Sequence, residues 1–379
     1  MRTLRTASTD RQRRMLLKLG LGSLATSSLA LPLRAMAGLD ATSAPDLRQW
    51  FFSAVDNGDG QHFLAGVRHD ASDHFLLPVA ERCHGGCLRP GHPQTVLFAR
   101  RPGTQMHVID PRQRQPLHVI EAGEGYHYYG HGVFEPSGRW LYVTANRIDD
   151  AMGLIRVHDA EADYAWHQDF ELAGIGPHEI ALMPDGKTLT VALGGIRTHP
   201  DMGRIKLNLD DMDPALLLVD RHSGEVVERH RPSHHQLSCR HLDIGPEGEI
   251  IAGYQFQGPA WETQHPLIAR RSTNGEFDEV SLPETVQTSL ASYTASIAVS
   301  HKAPTALITA PRGGRIVLIQ RNSGELLASP ELEDAAGARC DGRGGYLVTS
   351  GNGQVCQLDT NGELTTLADL PLRWDNHLT

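Results

Sequence analysis

The amino-acid sequence predicts an all-β chain folded as one seven-bladed β-propeller. Three observations carry that prediction: a recurring strand–turn–strand unit, a set of matching hairpin turns, and seven apolar strands at roughly even spacing. The chain has 379 residues, 38 of them glycine and 22 proline, and few are aromatic. That composition suits many short strands and tight turns, and all-β folds of this kind run long as a single unit.

The recurring unit is clearest at His131-Gly132-Val133-Phe134, followed by Pro136-Ser137-Gly138 and the strand Trp140-Leu141-Tyr142-Val143. A second copy has Glu179-Ile180-Ala181-Leu182, Pro184-Asp185-Gly186 and a strand over 188–192. A third has His241-Leu242-Asp243-Ile244 and Pro246-Glu247-Gly248. The hairpins repeat as well: Arg221-His222-Ser223-Gly224-Glu225 resembles Arg321-Asn322-Ser323-Gly324-Glu325, and Thr273-Asn274-Gly275-Glu276 resembles Thr360-Asn361-Gly362-Glu363. Ser-Gly and Asn-Gly between apolar runs mark hairpins because the turn needs a positive φ.

Inner strands are expected at 63–67, 96–99, 141–145, 189–193, 250–254, 306–309 and 346–349. An insertion near 194–214 lengthens one blade. A blade-like stretch at 354–368 and the tail at 372–377 are expected to close the ring with a strand at 50–54.

The first 37 residues read as an address rather than as part of the fold. Gln12-Arg13-Arg14-Met15-Leu16-Leu17-Lys18 has the form of a twin-arginine export signal. A weakly apolar stretch over 19–33 follows, then Ala35-Met36-Ala37 as a small-x-small cleavage site. The expected organisation is a cleavable twin-arginine signal peptide over 1–37, a linker over 38–47 and the propeller over 48–379, delivered to the periplasm. Export of a folded chain is often a means of loading a cofactor first. The net charge is -10, and residues 1–37 carry seven basic and one acidic residue, so the mature chain is near -16. A surface of that sign argues against nucleic acid as a partner.

The five cysteines, Cys83, Cys87, Cys239, Cys340 and Cys356, are too few and odd in number for a disulfide framework. Cys83-His84-Gly85-Gly86-Cys87 leaves open a local disulfide, free thiols or soft-metal ligands. It lacks the spacing of a haem-attachment motif.

Histidine is the unusual residue, with 21 copies. His84, His131, the pair His178-Glu179, and His241 each lie five or six residues before a blade's Pro/Gly turn. That shared offset puts them at the starts of successive innermost strands, which converge on one mouth of a propeller's central channel. Blades six and seven break the pattern with Tyr293-Thr294 and Ala338-Arg339. Neutral imidazole is a common ligand for iron, copper and zinc, so His84, His131, His178, Glu179 and His241 are candidate metal ligands. The competing reading has each imidazole bonding a backbone carbonyl of the channel wall. Flanking segments supply a candidate ligand-binding rim of Tyr129, His199, Arg204 and Arg312, with Arg204 and Arg312 available to an anionic or acidic ligand. No nucleophile elbow, phosphate loop or His-Glu-x-x-His motif is present.

Several motifs carry a family resemblance: Tyr129-Gly130-His131-Gly132, Gly174-Ile175-Gly176-Pro177-His178-Glu179, Gly194-Gly195-Ile196-Arg197-Thr198-His199-Pro200, Lys206-Leu207-Asn208-Leu209, His235-Gln236-Leu237-Ser238, Arg240-His241-Leu242 and Pro311-Arg312-Gly313-Gly314. In this order they resemble the proteobacterial domain-of-unknown-function 1513 family, over essentially the whole mature chain. The cysteine pair departs from the family pattern. The resemblance implies an exported, propeller-like protein of no assigned activity. It also implies imelysin-type or di-haem periplasmic proteins as neighbours, and so a part in iron acquisition. Three functions follow as alternatives: a metal-binding accessory protein holding iron or copper, a metal-free protein-interaction module, and a metal-dependent oxidoreductase.

Overall fold

A computed structural model describes residues 47–202 and 205–379; the leader expected over 1–37, and the linker expected over 38–47 except its last residue, lie outside the described residues. Among those residues the strands form seven four-stranded antiparallel sheets, the blades of a propeller. Blades 2 to 7 are consecutive meanders that begin with the strands Cys83–Leu88, Tyr126–Phe134, Pro177–Leu182, Leu237–Ile244, Ile297–Val299 and Ala335–Cys340. Blade 1 is assembled from both ends of the chain. The C-terminal strand Arg373–Trp374 pairs with Trp50–Asp56, which continues into His62–Arg68 and His74–Val79. Beyond the strand itself, Asp375 N–H donates to Ala54 O, and Phe52 and Thr379 exchange two backbone bonds of 2.8 Å. The tail therefore closes the ring against the strand expected at 50–54.

The apolar residues account for this arrangement. Each blade is a twisted sheet whose two faces are covered by its neighbours, so its strands are apolar on both sides. The buried clusters follow the ring. Trp50, Phe52 and Leu64 meet Cys83 and Leu97 between blades 1 and 2. Val96, Phe98 and Val108 meet Tyr128 and Val143 between blades 2 and 3. Phe51, Val67 and Trp374 meet Leu347 and Val355 where the ring closes. The outermost strands, such as Gln115–Glu121 and Leu364–Asp369, are more exposed than the inner ones and mix polar with apolar residues.

One strand assignment needs correction. Six of the seven strands expected to be innermost are second in their blades, and the one at 63–67 is third in blade 1. The second strand is the one most completely enclosed, as in Thr95–Ala99, where every residue is buried. The true innermost strands carry glycine, histidine, serine and threonine toward the channel, so they are the less apolar of the two.

The only α-helix among the described residues, Glu284–Ser289, lies between blades 5 and 6 and was not expected. No helix of the described residues is long and apolar enough to cross a membrane. In an antiparallel meander the second strand leaves on the side where the first begins. The connections from second to third strands therefore gather on the same face as the starts of the innermost strands, and this places the site.

Candidate metal centre

The starts of the innermost strands are irregular. Register with the second strand shifts between Cys83 and Gly86, between Tyr128 and Gly132, between Pro177 and Ile180, and between Cys239 and His241. Extra residues in a strand re-aim side chains that a regular pleat would alternate between faces. His84, His131, His178 and His241 sit in or beside these bulges. Two glycines make room for the rings: a Cβ on Gly130, at φ +102°, would stand 2.9 Å from the His84 ring, and one on Gly85 would stand 2.7 Å from His131 Nδ1.

The four imidazoles meet. Ring centroids are 5.0 Å apart for His84 and His131, 5.0 Å for His131 and His178, and 4.8 Å for His178 and His241. A fifth, His377 from the closing tail, lies 4.5 Å from both His84 and His131 and 4.9 Å from His241. Two triplets can each present one nitrogen per ring with all three within 4.8 Å of one another: His84, His131 and His178, and His131, His241 and His377. A four-coordinate ion with bonds of ~2.0–2.1 Å separates its ligands by about 3.3–3.4 Å, so small ring rotations bring either triplet onto one ion.

The setting is drier than the open channel mouth anticipated from the sequence. The five rings are between 1% and 8% exposed. Burial holds all five below the ordinary imidazole pKa; neighbouring imidazoles reinforce this for His131, His178, His241 and His377. They are thus neutral at neutral pH, the form that ligates metals. His131 Nε2, His178 Nδ1 and His377 Nε2 are buried and have no hydrogen-bond partner among the described residues. These nitrogens do not fit the carbonyl-bonded reading, because a buried polar atom left unpaired is costly. They fit a metal ion, which would occupy the missing place.

Two carboxylates stand behind the rings. Asp375, also from the tail, meets His84 Nδ1 at 2.5 Å and accepts from Arg82 Nε at 2.9 Å and Arg100 Nη1 at 3.2 Å. Its burial works to raise its pKa, but the close contact with His84 and the charges of Arg100 and Arg82 outweigh that and hold it well below the carboxylate range. Glu179 meets His241 Nδ1 at 3.2 Å, accepts from Leu242 N–H at 3.1 Å, and lies 3.8 Å from His131 Nδ1. Burial pushes its carboxyl well above the usual range. Glu179 is in neither triplet; it sits where it orients His241. A carboxylate on one ring nitrogen leaves the other free to face a metal.

A cavity of about 190 Å³ opens onto His84, His178 and His241. Tyr129 and Arg312 of the expected rim line it. Arg101 donates to Tyr129 Oη at 3.0 Å, and Arg312 stacks 4.3 Å above the Tyr293 ring. His199 is not among the lining residues; it accepts from Asp201 N–H at 3.3 Å. Arg204 lies outside the described residues.

All five cysteines are free. Cys83 packs between blades 1 and 2 and Cys87 between blades 2 and 3, on opposite faces of their strand, so the two do not pair. Burial pushes both thiols up, which keeps them protonated and poor metal ligands.

His377 and Asp375 were missed as site residues because they lie outside the repeat. The signal that pointed to them was the tail's expected role in closing blade 1.

Comparison with curated proteins gives no match. Among solved structures the fold is similar to "Kuenenia stuttgartiensis Hydrazine Synthase", with a TM-score of 0.57 and 15% identity, over 88% of this chain and 98% of that one. At that identity the likeness concerns the fold alone. The domain family described as "Protein of unknown function (DUF1513)" matches residues 77–379, from the outer strand of blade 1 to the C-terminus, and the chain belongs to that family.

Proposed function

We propose that this protein is an exported accessory protein of periplasmic iron handling that binds a transition metal ion, iron or copper, within its histidine cluster. The observation that carries the reading is the set of orphaned ring nitrogens on His131, His178 and His377, buried among five imidazoles drawn from separate blades. Imidazole donors suit copper and iron. His84, His131, His178, His241 and His377 would hold the ion, with Asp375 and Glu179 fixing the orientation of His84 and His241. A bound ion would supply Lewis acidity or a redox couple. Both triplets draw on His131, so a single ion is the simplest filling. Export through the twin-arginine pathway and partnership with imelysin-type or di-haem proteins belong to the same proposal. They rest on the leader motif and the family resemblance.

A second reading, that the same face docks another protein, is favoured by apolar side chains around it. Met202, Ile205 and Leu207 in the long connection of blade 4 are all exposed, and Trp261 in the corresponding connection of blade 5 is 81% exposed.

Calorimetric titration of metal-free protein with Cu(II), and with Fe(II) under anaerobic conditions, tests the metal reading. Saturable binding near one ion per chain is expected. His131→Ala together with His377→Ala should weaken it by about two orders of magnitude or more, with the circular dichroism unchanged. Equal affinity in wild type and variant, or no saturable uptake of either ion, would remove the reading and leave the docking surface in its place.

A further inference from the structure

We propose that the cavity above the imidazoles is a binding site for a small polyanion of the carboxylate or phosphate class. On a chain with a net charge of -10, this cavity is lined by Arg100, Arg101, Lys206, Arg240 and Arg312 and by no Asp or Glu. The topology explains the concentration. Arg100 and Arg101 lie in the second-to-third connection of blade 2, Lys206 in that of blade 4 and Arg312 in that of blade 6. All three connections open on the face where the innermost strands begin. Arg240 comes from the innermost strand of blade 5, next to His241.

The cations are not neutralised from within. Arg100 reaches Asp375 at 3.2 Å, but that carboxylate is already shared with His84 and Arg82. Among the described residues, no carboxylate lies within ion-pair distance of Arg101, Lys206, Arg240 or Arg312. Arg240 is the decisive case. Its side chain is buried, with the residue 5% exposed, it lines the cavity, and its Nε has no hydrogen-bond partner among the described residues. A buried guanidinium without a counter-charge is strongly unfavourable, and an anion in the cavity would relieve it. Partial burial, followed by the charges of Arg240, Arg312 and Arg101, lowers the pKa of Lys206, so the cations are close enough to repel.

The rest of the lining suits such a ligand. Gln255, Gln257, Tyr129 and Tyr293 add neutral polar groups around the guanidinium forks, which match carboxylate and phosphate oxygens in pairs. A volume of about 190 Å³ holds roughly six waters' worth of liquid, enough for phosphate or a small di- or tricarboxylate. The cavity opens directly onto His84, His178 and His241. A ligand seated there lies against the imidazole cluster.

The site is tested on metal-free protein, independently of the metal reading. Inorganic phosphate and citrate are titrated separately by calorimetry at low and high sodium chloride. Saturable binding of at least one probe is expected, weaker in high salt. Tighter citrate binding would assign the carboxylate class, and tighter phosphate binding the phosphate class. Lys206→Gln with Arg312→Gln alters two exposed side chains and should leave the thermal melt unchanged while weakening binding by at least about tenfold. His131→Ala with His377→Ala should retain the anion while losing the metal. Absence of saturable binding by both probes in folded wild-type protein, or equal affinity in the Lys206→Gln/Arg312→Gln variant, would overturn the proposal without touching the metal reading.

Discussion

The two halves of the central channel solve the same structural problem with different chemistry. In blades 6 and 7 the starts of the innermost strands carry hydroxyls and small residues, and the hydroxyls are bonded. Ser296 Oγ donates to Ala338 O at 3.3 Å and Thr294 Oγ1 donates to Tyr254 O at 2.8 Å; from the second strand of blade 6, Thr309 Oγ1 donates to Ala336 O at 2.7 Å and accepts from Ser296 N–H at 2.8 Å. In blades 2 to 5 and in the closing tail, the equivalent space is filled by five imidazoles, three of which leave a buried nitrogen unpaired. The hydroxyl half is a finished wall. The imidazole half tolerates an energetic debt that a wall does not need, and such a debt makes sense when a ligand cancels it. On the proposed reading, stability and function are divided around one ring.

That contrast should show most strongly in acid. The imidazoles are held below their ordinary pKa by burial, and His158, buried between blades, is lowered to about 4. A group whose folded pKa is depressed binds a proton more readily when unfolded. Its stabilising contribution is full above about 6.5 and is lost as pH falls through the folded value. For His158 alone the difference corresponds to roughly 3 kcal/mol. Glu179 and Asp243, the latter raised to about 6, work the other way: they favour the folded state at low pH, and that contribution is lost as pH rises through their folded values. The imidazoles outnumber them. Chemical denaturation of metal-free protein between pH 7 and pH 4 should therefore show stability falling steadily, with net proton uptake on unfolding. A flat profile would mean the rings are not buried neutral, and the contrast would lose its electrostatic basis.

Asp375→Asn probes the imidazole half more narrowly. It keeps the shape of the tail and removes the carboxylate that holds His84 Nδ1, so metal affinity should fall about 10- to 100-fold, and the melt should drop as well because Arg82 and Arg100 lose their buried counter-charge. An equal loss of affinity from Ser296→Ala, on the far side of the ring, would erase the distinction. Thr309→Val is the smallest test. Leaving Ser296 N–H unpaired should cost about 1–3 kcal/mol in denaturant titrations and leave metal binding unchanged.

The sequence made the ring and most of the cluster legible for a physical reason. A propeller repeats one unit, so a shared offset of His84, His131, His178 and His241 from successive turns becomes spatial convergence. What the offset hid was the part without a repeat. His377 and Asp375 enter through the strand that closes blade 1, some 290 residues from their partner His84 in the chain. The bulges were equally hidden. They are set by pairing between strands, and the one between Pro177 and Ile180 brings both His178 and Glu179 against the other rings. The cationic cavity drew on connections of three different blades, whose convergence depends on strand order rather than on any local motif.

Elemental analysis of the protein purified from periplasm, without added metal or chelator, tests the central claim most directly. The account predicts iron or copper at close to one ion per chain in the wild type, and its loss from folded His131→Ala/His377→Ala protein. Wild-type protein free of transition metal that also fails to take up either ion when loaded, or the same metal content in the variant, would contradict it.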